Sequence, residues 1–194
     1  MARKLTDVEF RERVGDRLEE LFGSAFDADF PFTDALPLRA VVFPTSYALD
    51  EEQLAALAGA ALAVGGHEAF LWYTEAGGGQ WASDLREPAD LRALWCEGFE
   101  NVLFDADGVW ACFQSQDFLS VIGASSPRFM IEFERRYPRL RSGELEWARL
   151  AGSSVDSASH REALCEFVRY VVGGDRHDVL AAAGCADPDE PRVA

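Results

Sequence analysis

The chain has a single lysine, Lys4, so its other basic residues are arginines. A phosphate-binding P-loop needs a lysine after its second glycine, and that device is therefore excluded. The glycine run at residues 77–79 does not have the GxGxxG spacing of a dinucleotide fingerprint and reads as a loop. No GxSxG elbow occurs. The histidines His67, His160 and His177 lack the close spacing that zinc sites use, and no two cysteines form a CxxC pair. No run of about 18 apolar residues exists to span a bilayer. The amino terminus is charged, but no apolar stretch follows that would make a secretory leader. The cytoplasm is the default compartment, and its redox poise predicts reduced cysteines. Cys96, Cys112 and Cys165 lie in apolar segments and read as buried thiols, whereas Cys185 follows Gly184 in a polar tail and reads as the exposed one.

What is present is a globular composition. Apolar residues make up 48% of the 194 residues, with 14 Phe and 5 Trp to bury. A chain of this length buries about 70% of its unfolded surface and needs no disulfide or metal to stay folded. Eighteen basic against 34 acidic residues leave a formal charge of -16. Such a field repels phosphate backbones and anionic lipid, so neither nucleic acid nor membrane is an expected partner. It favours a basic protein and also serves solubility.

Helix signals are strong in several places. Thr6 and Glu9 form a capping box, Leu5 and Phe10 a hydrophobic staple, and Phe10, Val14, Leu18, Leu21 and Phe22 one stripe ended by Gly23. Asp50 and Gln53 open a second, alanine-rich helix that stops at Gly65 and Gly66. A short helix is expected after Pro88, another from Ser126 and Pro127 to Tyr137, and another capped by Ser159 and Glu162 that runs to Gly173. A last short one lies near residues 179–183. Residues 24–37 read as a loop pinning aromatics onto the core, and residues 139–149 as a charged stretch leading into a small-residue loop.

Strands are expected at 38–43, 68–74, 102–104, 109–113 and 118–122, with a turn from Asp105 to Gly108. The predicted class is α+β: a central, largely antiparallel sheet of about five strands flanked by helices, forming one domain over 1–186. Residues 187–194 form an acidic tail expected to be disordered.

No catalytic residue, metal ligand or cofactor site is predicted. Asp105 and Asp107 imitate the start of a calcium loop, but Trp110 stands where such a loop needs glycine. A His177 and Cys185 pair lies at a chain end with acidic surroundings, unsuited to a catalytic thiolate. The candidate binding residues are Trp81, Asp84, Glu97, Glu100, Asp105 and Asp107, an aromatic amid carboxylates that suits a basic protein surface. Glu87 and Asp90 have a sufficient reason at a helix start.

Residues 99–138 carry a strand, an Asp-Gly turn, Trp110, the strand Phe118 to Gly123, and a helix with Phe129, Phe133 and Tyr137-Pro138. This resembles the C-terminal pattern of some small bacterial immunity proteins of polymorphic toxin systems. Ala111 and Ala124 stand where that pattern has glycine. The resemblance implies an acidic, non-catalytic inhibitor of a toxin. The expectation is thus a protein-binding module. The alternatives are a small-ligand protein or enzyme with an unfamiliar site near residues 77–79, and a homo-oligomeric structural protein, a homodimer for example, with an isologous interface on the Phe129 and Phe167 helices.

Overall fold

The computed structural model describes residues 2–24, 26–43, 49–73, 79–86, 100–115, 119–173 and 176–186. Its centre is a seven-stranded, wholly antiparallel sheet in the order β1-β4-β3-β5-β6-β7-β2. The strands are β1 (Arg3–Leu5), β2 (Leu38–Val42), β3 (Glu68–Tyr73), β4 (Gln80–Asp84), β5 (Asn101–Asp105), β6 (Trp110–Gln114) and β7 (Ser120–Ala124). The α+β class is as expected, but the sheet has seven strands where the sequence suggested five. The two additions are β1 and β4. Three residues of β1 show no period, and β4 adjoins the glycine run. Both form because β4 pairs along β3 and β1 along β4.

Side chains alternate across the sheet. Phe70, Val102, Phe104, Phe113 and Val121 enter one core, and Leu71, Leu103, Trp110, Cys112 and Ile122 the other. Every residue of β5, β6 and β7 is buried. The first core is covered by α1 (Asp7–Phe22), by the segment 26–36, and by α4 (Leu140–Ser154), α5 (Ala158–Val172) and α6 (His177–Ala183). The second is covered by α2 (Glu51–Ala63) and α3 (Pro127–Arg136). The result is a helix–sheet–helix sandwich.

Local signals set the helix ends. Thr6 and Glu9 close the capping box of α1, and Gly23 ends it at φ 77°. Asp50 and Gln53 close that of α2. α5 starts differently from the expectation: Ser157, and not Ser159, accepts from the backbone of the third helical residue, His160. The charged stretch expected at 139–149 is helix α4, which packs along β2 at the sheet edge, with Leu140 in one core and Trp147 in the other. The helix expected after Pro88 and the tail 187–194 lie outside the described residues.

The cysteines depart from the expectation of four reduced thiols. Cys165 and Cys185 form a disulfide, and Cys185 is buried, not exposed. Twenty residues of chain between them return Cys185 to α5 by way of α6. Cys112 is a buried free thiol, as expected, and desolvation pushes its pKa far up. Among the described residues no helix is long and apolar enough to cross a membrane.

Candidate binding cleft

The residues selected from the sequence do not converge. Asp84, Asp105 and Asp107 share one end of the sheet, because Asp84 pairs with Glu68 of β3 and Asp105 with its neighbour Ala69. Glu100 lies just before β5, at the opposite end. Glu97 is outside the described residues. Trp81 is half-buried against the α2 core, with Lys4 Nζ 5.7 Å from its ring centroid. Gly79 lies beside that indole and Lys4. The rest of the glycine run is outside the described residues.

The acids at the first end are engaged. Arg86 grips Asp84 through its guanidinium and backbone, which holds that carboxyl well below the usual range. Arg13 pairs with Glu68. Asp105 is only 2% exposed and closes the hairpin, accepting from the Val109 N–H at 2.7 Å and the Trp110 N–H at 3.3 Å. Burial raises its pKa to about 6, the backbone donors opposing that rise. Gly108, at φ 71°, completes the turn. Asp107 alone of the three stays exposed without a salt bridge to a described residue.

A different place has the shape of a binding site. A cleft of about 710 Å³ opens over the first core. Its floor is Val121 of β7. Trp147 and Ala151 of α4 form one wall, Leu164 and Phe167 of α5 the other, and Phe30 and Leu119 close the ends. Trp147 and Phe167 meet edge to face at 5.8 Å. The Phe30 end is fixed by α5: the Tyr170 hydroxyl accepts from the Phe32 N–H at 2.6 Å and donates to the Phe32 carbonyl at 2.9 Å, and its ring meets Phe30 at 5.2 Å. Arg39 lies 4.0 Å over the Tyr170 ring and donates to the Tyr170 and Thr33 carbonyls.

Asp29 and Glu166 stand exposed on the rim, and neither pairs with a cation among the described residues. The cleft is thus apolar within and anionic at its mouth. That arrangement suits a guest with an apolar side chain and adjacent positive charge. Among the described residues no group of three or more His, Cys, Asp or Glu is placed to hold a metal ion.

These residues share no local sequence signal, because they come from four separated segments. Phe30 and Phe167 looked like ordinary core aromatics. Trp147 likewise reads as a core residue within the charged stretch 139–149. Comparison with family models finds no match, and comparisons with curated proteins and with solved structures find none either.

Proposed function

We propose that the chain is a non-catalytic protein-binding module that receives an apolar side chain of a basic partner in the cleft between α4 and α5. The observation that carries this reading is an apolar cleft of about 710 Å³ whose mouth carries Asp29 and Glu166, neither paired with a cation among the described residues. Support comes from the net charge of -16, which steers a basic protein toward it. The resemblance of residues 99–138 to immunity proteins gives such a module a role, that of an inhibitor holding a toxin. Those residues build β5 to β7 and α3, and so the cleft floor.

Selection of displayed random peptides against the whole chain tests the proposal. Enriched peptides are expected to place an aromatic or long aliphatic residue beside Arg or Lys, and to release as salt rises. Ala163→Arg, at an exposed rim position, is expected to weaken them about tenfold, because it fills the mouth with like charge. Acidic consensus peptides, or binding indifferent to Ala163→Arg, refute the reading.

The cleft also has the volume of a small-molecule pocket, roughly 300–1,000 Å³. A retained low-mass compound in native mass spectra, released by Ala163→Arg, selects that second reading.

A further inference from the structure

A third helix, α6, packs against the two that wall the cleft, and places Val179, Leu180 and Ala183 in the core. Its carboxyl end is held by four ties. Ala183 lies so close to Gly152 of α4 that a Cβ there would come within 2.6 Å of the Ala183 carbonyl oxygen. Arg161 donates to that oxygen at 3.0 Å, and Arg169 to the Cys185 carbonyl at 3.2 Å. The fourth tie is covalent, from Cys165 of α5 to Cys185 just beyond α6.

Cys165 sits in the turn of α5 that lines the cleft, between Leu164 and Glu166. Successive helical residues point about 100° apart. One turn of α5 therefore meets the cleft with Leu164 and Phe167 and meets α6 with Cys165. A chain of this size needs no crosslink to fold, and three non-covalent ties remain when the bond is cut. α6 has only seven residues and is too short to persist without its packing. The bond is thus placed to govern the position of α6, and through it the separation of α4 and α5.

We propose that the Cys165–Cys185 disulfide is a reversible brace that keeps the α4–α5 cleft at binding width, so that its reduction loosens the cleft and weakens its grip. The inference rests on the cleft being the binding site. A dithiol supplies the two electrons. One thiolate attacks a cystine sulfur, the S–S bond breaks and a mixed disulfide forms. The second thiol then displaces the remaining protein sulfur. The reductant leaves as a disulfide, and its two protons end on the Cys165 and Cys185 thiols.

The test compares amide hydrogen exchange of the full chain, oxidised and after dithiothreitol, with thiols counted by alkylation. Reduction is expected to speed exchange about tenfold in residues 151–154 and 163–167 as well as in α6, with β5 to β7 unchanged. Faster exchange confined to α6, or spread evenly over the sheet, overturns the brace. The Cys165→Ser/Cys185→Ser chain, without reductant, is expected to match the reduced protein. If that variant does not fold, the reduced natural chain carries the same reading. In parallel, acetyl-Arg-Trp-Arg-amide is titrated into both states and followed by NMR. Reduction is expected to weaken it about fivefold. Equal affinity in the two states overturns the brace and leaves the binding reading standing. Absence of binding in both states refutes the binding reading, and the control of binding with it.

Discussion

Asp105 and Glu144 are both nearly inaccessible carboxylates with different hydrogen-bond partners. Asp105 has backbone donors on one oxygen and no hydrogen-bond partner for Oδ2 among the described residues. Desolvation dominates, and its pKa rises to about 6 from an ordinary 3.8. A carboxyl that holds its proton more tightly in the folded chain stabilises the fold while protonated. That contribution is complete below about pH 4 and is lost as pH rises through about 6. Asp105→Asn keeps an acceptor and does not ionise. Its urea midpoint, relative to the natural chain, is expected to improve between about pH 4 and about pH 7. A difference that stays constant with pH contradicts this account.

Glu144, 1% exposed, is instead surrounded by donors. Arg141 and Arg176 donate to Oε2 at 3.1 and 2.8 Å, and the Val41 N–H of edge strand β2 donates to Oε1 at 3.3 Å. One side chain thus satisfies an edge amide and anchors α4 beside it. Glu144→Ala is expected to cost about 3 kcal/mol in denaturant unfolding. This is the low end for a broken buried pair, because both arginines reach solvent. Glu144→Gln is expected to cost less, since it still accepts from Val41. A cost under about 1 kcal/mol for alanine would show that α4 is held by apolar contact alone.

Among the elements, the segment 26–36 is the one whose position depends most on a distant helix. It has no regular hydrogen bonding of its own and is laid across β7. Gly123 makes that approach feasible, since a Cβ there would meet the Phe32 ring at 2.7 Å and Leu36 Cβ at 3.1 Å. The Tyr170 hydroxyl accepts from the Phe32 N–H and donates to the Phe32 carbonyl, which Arg39 also reaches at 3.5 Å. Tyr170→Phe is expected to cost about 2 kcal/mol, from two lost bonds and an amide left unpaired. It is also expected to speed proteolysis within residues 27–35. Unchanged cleavage there would mean that Arg39 suffices. The aromatic content of this segment was readable, as was its role as a pin. Its use as a cleft end was not, because Phe30 meets Tyr170 of α5, far along the chain, and lines the cleft with Val121 of β7.

For the molecule as a whole, charge matters more than any single pair. With a net charge of -16, the folded chain repels itself. Several of its ion pairs, such as Arg3 with Glu9 and Arg135 with Glu132, are exposed and contribute little. Added sodium chloride is therefore expected to raise the melting temperature between about 10 mM and about 300 mM, as screening relieves the repulsion. A fall would mean that the pairs outweigh it. The same salt is expected to weaken a basic partner in the cleft. Stability and binding then respond with opposite sign, which separates the two uses of the charge.

Both ends of α1, the start of α2, the Gly173 end of α5 and the Asp105 to Gly108 turn were determined by the sequence itself, since each rests on contacts a few residues apart. Thr6 finds Glu9, Asp50 finds Gln53, and Gly23 and Gly173 take positive φ where their helices end. Strands β1 and β4 exist only through pairing with neighbours, and α4 only through the edge and the two cores it bridges. The Cys165–Cys185 bond and the cleft likewise belong to the tertiary structure. Each requires segments far apart in the chain to meet, and that meeting is decided by how two layers of helices pack on one sheet.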